Sequence, residues 1–399
     1  MNRFIQIHFL TSYSAALLNR DDAGFAKRIP FGSAPRIRIS SQCLKRHWRR
    51  SDDGEALSRI KDTQPAVRSR LSFERFVRKP LITGDGIDPV IADAVTEALM
   101  ARVLGESNRR KAEKKKQAES ESDSSSGLQT NQVTILGMSE LAFLHSEARA
   151  ICAGLKDPKA AAGAVDHHLT KERIENLRAL KVGAGLDAAM FGRMVTGDIL
   201  ARTDAALHVA HAFTVHAEQS ESDYFSAVDD LLQDSPDGGL GSGHINSAEL
   251  TSGLFYGYVV IDVPGLCANL SKDAGLAREV TRRMVHLIAT VSPGAKLGST
   301  APHSYASLML VEAASQQPRS LANAFLVPVR TAPDLLANSY DSLAAHLSEL
   351  DRVYGRTVRH AIILGPGERL ASVIAADEIA NSLASLAAWT AEQVECPDA

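Results

Sequence analysis

The chain has 399 residues, of which 45% are hydrophobic and 23% charged, and its formal net charge is −3. These values are typical of a soluble globular protein with a large core, and they exclude a protein that is basic over its whole surface. No stretch approaches eighteen consecutive apolar residues, so no membrane-spanning helix is expected. The N-terminal segment MNRFIQIHFLTSYS alternates apolar and polar side chains, which indicates a strand instead of a signal peptide.

The strongly patterned segments alternate between strand and helix along the chain. Period-two alternation predicts strands, and apolar residues spaced by three and four predict helices. The core elements are a strand at 3–10, a helix at 41–50, strands at 206–216 and 252–263, a helix at 275–291 and a strand at 306–313. This β-α-β-β-α-β order predicts an α+β fold of the ferredoxin-like (RRM-like) type.

Two insertions interrupt that order. Residues 55–180 have mostly helical periodicity, but residues 105–129, GESNRRKAEKKKQAESESDSSSGLQ, are almost entirely polar. This composition predicts a disordered surface loop, and its Lys run is interpreted as solvated in preference to binding nucleic acid. The second insertion, between the two middle strands, is acidic and then glycine-rich. A final helix is predicted at 375–395.

Cysteine usage predicts the chemical environment of the protein. The four cysteines lie far apart and form no C-x-x-C pair; they are Cys43, Cys152, Cys267 and Cys396. Neither a zinc ribbon nor a disulfide scaffold is therefore expected, and a reducing cytoplasm is the predicted location.

Positive charge is concentrated near the N-terminus. From Arg20 to Arg50 there are nine basic and two acidic residues, so this segment carries +7 and the remainder of the chain −10. Such asymmetry indicates an anionic partner that binds at one site.

The centre of this basic segment is RIRISSQCLKRHWRR, residues 36–50. Its first four residues alternate Arg with Ile, which predicts a strand, and Ser40 or Ser41 is a suitable N-cap for the helix that follows. Leu44 and Trp48, four residues apart, form the expected buried stripe. A capped helix N-terminus reached from a strand exposes backbone N–H groups that suit phosphate.

Like charges repeat every four residues on this helix. Lys45 and Arg49 share one face, and Arg46 and Arg50 share another, at a cost of a few tenths of a kcal/mol per pair. A row of phosphates would offset that repulsion. The alternative is a solvated basic face, which is the simpler interpretation for Arg46 and Arg50.

Two further motifs, one rich in histidine and one containing glycine and lysine, could in principle bind a metal ion or a phosphate. The segment DAALHVAHAFTVH contains His208, His211 and His216, but alternation in a strand separates them, so packed or exposed histidines are favoured over a metal site. The segment PGAKLGSTAPH contains the residue types of a P-loop, but it lacks the Gly-Lys-Ser/Thr order with which a P-loop ends. A connecting loop in which Lys296 offers donors to RNA is the preferred alternative.

Two other motifs concern RNA and catalysis. The segment YGYVV could stack bases on Tyr256 and Tyr258, or these rings could instead cover a helix. The segment NRDD places Asp21 and Asp22 side by side, where they could hold a metal for phosphodiester cleavage or accept hydrogen bonds within a loop. The loop role is favoured, because no catalytic constellation accompanies them.

Several segments, taken together and in this order, resemble the CasC family, the backbone subunit of the type I-E CRISPR Cascade complex in the RAMP superfamily. The resemblance extends over about residues 1–330 and is carried by LLNRDD, RIRISSQCLKR, MFGRMVTGD, DAALHVAHAFTVH, DYFSAVDDL, SAELTSGLFYGY, ATVSPGAK and LANAF. It implies a hand-like molecule: a ferredoxin-like palm at 1–54, 183–216 and 251–399, helical fingers at 55–182, and a thumb hairpin at 217–250.

The resemblance also implies a function. About six copies polymerise along the spacer of a CRISPR RNA, together with other Cascade subunits, and present the RNA for pairing with a target DNA strand. The subunit itself is neither a nuclease nor a metalloprotein, and it needs no cofactor. A scaffold of this kind holds phosphates and leaves base edges free, so the RNA supplies the sequence readout.

The family's binding residues can be carried over by position. Arg20 and Lys27 match basic residues near the RNA backbone, and Ser40, Gln42, Lys45 and Arg49 match the phosphate-contacting motif SSQ-x-LK and the basic residue after it. Met194 matches a residue wedged at a kinked nucleotide. Ser226 and Ile245 match two thumb positions beside the displaced base, where Thr and Leu are common in the family.

Two alternative functions remain from the sequence. One is an RNA-cleaving backbone subunit, as in type III relatives, with Asp21 or Asp22 as metal ligand. The other is a monomeric RRM-like binder of single-stranded RNA, which would stack bases on Tyr256 and Tyr258.

Overall fold

The computed structural model describes residues 2–63, 66–105, 128–130, 132–180, 185–193, 200, 202–228 and 242–397. The chain forms two compact units. The first consists of Met1–Leu57, His208–Val263 and Ala277–Glu395, and the second of Ser58–Leu207, Pro264–Leu276 and Cys396–Ala399. The division into palm, fingers and thumb stays a prediction.

Nine of the strands that the structure describes form one sheet, and β4 and β5 form a separate pair. In chain order the strands are β1 (Phe4–Ala16), β2 (Arg28–Phe31), β3 (Ala34–Ile39), β4 (Ala66–Ser69), β5 (Thr134–Gly137), β6 (Leu207–Val209), β7 (Ala212–Thr214), β8 (Ser220–Val228), β9 (Ser242–Asp262), β10 (Ala306–Ala314) and β11 (Val358–Ile363).

The large sheet has the neighbour order β11-β10-β1-β9-β7-β3-β2, in which each pair is antiparallel. β6 and β8 also pair with β9. All four predicted core strands are present, but the one predicted at 206–216 is divided into β6 and β7. The Ala210 N–H still bonds the Tyr258 carbonyl at 2.9 Å, and the division leaves β7 paired with β9 on one side and β3 on the other.

The two predicted core helices are confirmed, and their bounds agree with the prediction within one or two residues. The following helices lie in the described residues. They are α1 (Ser41–Arg50), α2 (Lys79–Thr83), α3 (Pro89–Leu104), α4 (Met138–Gly154), α5 (Ala161–His168), α6 (Lys171–Ala179), α7 (Leu186–Phe191), α8 (Val263–Asn269), α9 (Ala274–Thr290), α10 (Leu297–Thr300), α11 (Leu335–Tyr354) and α12 (Leu383–Glu392). The predicted C-terminal helix is shorter than expected, because Ile379 pairs with Ala361 and the helix begins only after the Ser382 N-cap.

One face of the large sheet is covered by α11, which the sequence did not predict. A cluster of buried side chains joins the sheet, the segment 321–329 and this helix: Leu10, Tyr256, Leu308, Leu310, Phe325, Tyr340, Leu343 and Leu347. Apolar burial of this extent provides most of the driving force for the packing. The arrangement is a mixed α/β architecture built on an antiparallel sheet.

The second unit is mainly helical, as predicted for residues 55–180. Its core joins α3, α4 and α5 through fully buried residues such as Val95, Leu99 and Leu144. β4 and β5 form an antiparallel pair beside them. The predicted loop at 105–129 lies largely outside the described residues, which resume at Leu128.

The cysteines give one result that differs from the prediction. Cys267 and Cys396 form a disulfide with their Cα atoms 5.5 Å apart, a normal separation for such a bond. The sequence did not indicate this pair because 129 residues separate the two positions. None of the helices described here is sufficiently long and apolar to cross a membrane.

Candidate nucleic-acid interface

The turn from β3 into α1 is the structural centre of the basic segment. The Ser40 hydroxyl accepts a hydrogen bond from the Cys43 N–H at 3.3 Å, which confirms Ser40 as the N-cap. The Asn19 side-chain oxygen accepts the Ser40 N–H at 2.9 Å and holds the turn from the opposite side. Among the described residues, the N–H groups of Ser41 and Gln42 are left without a protein acceptor at this helix mouth.

A short loop follows β1 and faces this mouth. Arg20 and Ala26 pair across it, and the Asp21 carboxylate accepts the Phe25 N–H at 2.9 Å. Asp21 therefore stabilises the loop by a hydrogen bond, which agrees with the favoured interpretation of NRDD. Within the described residues, no group of three or more His, Cys, Asp or Glu side chains is arranged to hold a metal ion.

The loop and the helix mouth enclose an open cavity of about 630 Å³. It brings together three of the predicted RNA-contacting residues, Arg20, Ser40 and Gln42, although they are up to twenty-two positions apart in the sequence. The other lining residues are Leu18, Asn19, Asp21, Asp22, Gly24, Cys43, Arg46, His47, Gly294 and Ala295. Burial raises the pKa of the Cys43 thiol, so this part of the wall is neutral at pH 7.

Arg46 lines this cavity, although the sequence analysis did not include it among the RNA-contacting residues. Gln42 and Arg46 are one helical turn apart, so both side chains reach the same cavity. Lys45 and Arg49 are half-buried and do not line it, since they lie on the neighbouring flank of α1. The i,i+4 relation to Gln42 was the signal that could have identified Arg46.

A second cavity of about 410 Å³ contains Lys27. It is also lined by Asp21, Asp22, Ala26, Arg28 and Arg38. Arg28 forms ion pairs with Glu218 and Glu249, so its charge is compensated within the protein. The Arg38 guanidinium is likewise engaged, with the Arg28 carbonyl at 3.3 Å and His211 Nδ1 at 3.0 Å.

Arg36 has a purely structural position. Its side chain is fully buried, and its guanidinium donates to the carbonyls of Thr214 at 2.9 Å and Phe325 at 2.8 Å. It also lies over the Phe31 ring at 5.8 Å. Arg28, Arg36 and Arg38 thus all bond other groups of the protein.

The loop that carries Lys296 joins the rim of the first cavity. The Ala295 N–H bonds the Leu17 carbonyl at 3.0 Å, which fastens the loop to the end of β1. The Lys296 carbonyl accepts from the N–H groups of Ser299 and Thr300, so the loop continues into the single turn of α10. The role of Lys296 toward RNA stays a prediction.

The three histidines of the second motif are far from forming a metal site. His216 is buried; its Nδ1 bonds the Ala217 carbonyl at 2.7 Å, and its Nε2 accepts the Leu254 N–H at 3.3 Å. Burial lowers the pKa of His216, so the ring is neutral at pH 7. His211 bonds Arg38, and His208 is exposed.

Tyr256 is excluded as a base-stacking residue. It is fully buried, and its hydroxyl lies 2.9 Å from His8 Nδ1 and accepts the Leu321 N–H at 3.0 Å. Tyr258 is half-buried, stacks on His8 and donates to the Gln6 side chain. The two rings therefore belong to the packing between this face of the sheet and the helix that covers it, which was the alternative to base stacking.

The predicted thumb contains a two-stranded ribbon formed by β8 and β9. Ser226 and Ile245, which the resemblance placed beside one displaced base, are direct cross-strand partners in its register. Met194 lies outside the described residues.

The chain is similar to proteins of known family and structure. A family model described as "CT1975-like protein" matches residues 5–390. A solved chain from a "CRISPR RNA-guided surveillance complex, pre-nicking" is 24% identical, with 98% of this chain and 100% of that chain covered and a TM-score of 0.78. Another, from a "CRISPR RNA-guided surveillance complex", is 20% identical, with 98% and 99% covered and a TM-score of 0.69. Both establish a shared fold; no curated protein sequence matches.

Proposed function

Because this chain belongs to the CT1975-like family of Cas proteins, we propose that it is an RNA-binding backbone subunit of a CRISPR RNA-guided surveillance complex. The two solved chains with this fold come from complexes of that kind. The proposed partners are a CRISPR RNA, the target DNA strand paired to it, about six copies of the chain itself and other subunits of the complex.

The observation that carries the proposal is the cavity at the mouth of α1. Arg20 and Arg46 line it together with Ser40 and Gln42, and the N–H groups of Ser41 and Gln42 lie at the same end of the helix. Guanidinium groups and a helix N-terminus are the donors that phosphate oxygens favour. Such contacts bind RNA of any sequence, as a guide-carrying subunit requires.

The finer assignment is a type I-E subunit with a ferredoxin-like palm. The palm is supported by the strand order β10-β1-β9-β7, which is that of the ferredoxin-like fold when the four core strands are numbered in chain order. The type I-E assignment rests on the sequence resemblance alone. The β8–β9 ribbon corresponds to the thumb. Its paired positions Ser226 and Ile245 support an action of both residues at one nucleotide, where they would kink the RNA together with Met194.

The proposed role is non-catalytic. The Asp21 carboxylate is engaged by the Phe25 N–H, and Asp22 lies on the same exposed loop without a third acidic or histidine partner among the described residues. A two-metal or one-metal phosphodiesterase requires several converging ligands. The RNA should therefore remain intact in the bound state.

The test is the binding of an unstructured, fluorescent single-stranded RNA to the purified full-length chain at several salt concentrations. Loss of one phosphate contact in Arg46→Ala or Arg20→Ala should lower affinity and reduce the slope of log K against log salt by about 0.7. The same result is expected for Lys45→Ala and Arg49→Ala if α1 contacts RNA along both flanks.

Arg352→Ala is the matched control, since Arg352 is an exposed arginine in the last turn of α11, away from the cavity lining. It should leave affinity and slope unchanged. An equal loss in the control and in Arg46→Ala would overturn the proposed site. Adding Mg²⁺ should leave the RNA uncut, whereas cleavage that disappears in Asp21→Ala or Asp22→Ala would favour a nuclease.

A further inference from the structure

Three of the seven tyrosines are strongly exposed, and one of them follows the loop that lines the RNA-binding cavity proposed above. Tyr13, Tyr256 and Tyr340 are buried and Tyr258 is half-buried. The exposed ones are Tyr224, Tyr305 and Tyr354, with 66%, 69% and 70% of their surface accessible. Tyr224 belongs to the β8–β9 ribbon, and Tyr354 ends α11.

Tyr305 follows a loop that is closed on itself. The Ser292 hydroxyl donates to the Ser304 carbonyl at 3.0 Å and accepts the Ser304 N–H at 2.9 Å. These two bonds join the beginning and the end of residues 292–304, and β10 starts at Ala306. Tyr305 is thus held between a hydrogen-bonded clamp and a central strand of the sheet.

Gly294 is in close contact with two side chains of the same loop. A Cβ atom on Gly294 would lie 2.7 Å from both Leu297 Cδ2 and Pro302 Cγ, so a larger residue there would require these side chains to shift. The Ala295 N–H is bonded to the Leu17 carbonyl. Hydrogen bonds at the base of the loop and at Ala295 hold the backbone from which Tyr305 projects.

The same loop forms part of the cavity wall. Gly294 and Ala295 line the cavity with Arg20, Ser40 and Arg46. Consecutive Cα atoms are about 3.8 Å apart, so Ser292 lies within about 8 Å of Gly294, and Ser304 is bonded to Ser292. Tyr305 therefore directly follows the end of the hydrogen-bonded loop that contributes Gly294 and Ala295 to the cavity wall.

We propose that Tyr305 is a stacking platform for a nucleobase of the single-stranded RNA whose phosphates occupy the cavity. This inference rests on the proposed function. An exposed aromatic ring near a groove that holds phosphates is the combination that binds single strands, because every base has a π-face to stack while the groove holds the backbone. Tyr256 and Tyr258 cannot supply this contact, since the covering helix makes the sheet face inaccessible.

The test compares oligoadenylate with an RNA of equal length in which abasic sites replace the bases. Tyr305→Ala in the full-length chain should raise the Kd for oligoadenylate by roughly 5- to 100-fold and leave the salt slope unchanged. On the abasic RNA the same variant should bind as the wild-type chain does. Tyr305→Phe keeps the ring and should bind oligoadenylate with the wild-type Kd.

Tyr354→Ala is the matched control, because it removes an equally exposed tyrosine from the same compact unit. An unchanged Kd in Tyr305→Ala, an equal effect in Tyr354→Ala, or an equal effect on abasic RNA would overturn the inference. If Arg46→Ala weakens binding while Tyr305→Ala does not, only the stacking role fails. If the wild-type chain binds no RNA, the proposed function fails with it.

Discussion

Arg36 and Arg46 are ten residues apart in one basic segment and serve opposite purposes. Removing Arg36 leaves the buried carbonyls of Thr214 and Phe325 without donors, at about 1–3 kcal/mol each. Arg36→Ala should therefore lower the free energy of unfolding by about 2–5 kcal/mol, measured by urea denaturation. Arg46→Ala removes an exposed side chain and should change it by about 0.5 kcal/mol or less. Equal stability of the two variants would contradict this assignment.

Local spacing was sufficient to predict some of these residues. Ser40 as N-cap and the buried pair Leu44 and Trp48 depend on neighbours within four positions, and all three are as expected. Arg36 and Arg38 alternate identically with isoleucine, so local pattern could not separate them. The buried Arg36 donates to the carbonyls of Thr214 and Phe325, which are far away in the sequence and come close to it only when the chain folds.

At the scale of elements, α9 is clamped to the segment that follows α1. Arg282 bonds Glu279 and Glu55, and Arg283 bonds Glu279 and the Ala56 carbonyl. The hydrogen bond from Arg282 lowers the pKa of Glu279 to about 2. The pKa of Glu55 is also lowered, chiefly by its hydrogen bond from Arg282.

This clamp predicts a pH-dependent contribution to stability. In the unfolded chain the pKa of Glu is about 4.3, so the folded-state pKa of Glu279 is the lower one. The stabilisation is complete above about pH 5 and disappears as the pH falls toward 2. Glu279→Gln should cost about 0.5–1 kcal/mol at pH 7, a modest value because the pair is one-third exposed. In urea titrations at pH 7, 5 and 3, that difference from wild type should shrink with falling pH.

An exposed glutamate on another helix provides the comparison for this clamp. Glu349 lies on the outer side of α11, and Glu349→Gln should change stability by less than about 0.5 kcal/mol at each pH. A pH-independent deficit in Glu279→Gln would show that the carboxylate acts by packing instead of by its charge.

At the scale of the whole molecule, the order of the core elements along the chain was within reach of the sequence, and the covering of the sheet was not. The core strands and the helices α1 and α9 each carry their own periodicity, so their order along the chain could be predicted. Residues 314–374 gave no assigned element, yet they supply α11 and β11, which cover one sheet face and extend its edge. Because α11 buries Tyr256, this ring is not accessible to a base, and a monomeric binder that stacks bases on Tyr256 is excluded.

The proposed backbone role also predicts how binding depends on RNA length. If each copy occupies a fixed length of RNA and contacts the next copy, the number of chains per RNA should rise in equal steps as the RNA is lengthened. Native mass spectrometry of the full-length chain with a ladder of unstructured RNAs would measure this number directly. Ile245→Asp, at a ribbon position paired with Ser226, should weaken the cooperativity between copies if the ribbon reaches the neighbour's RNA. One chain per RNA at every length would instead favour the monomeric RRM-like binder.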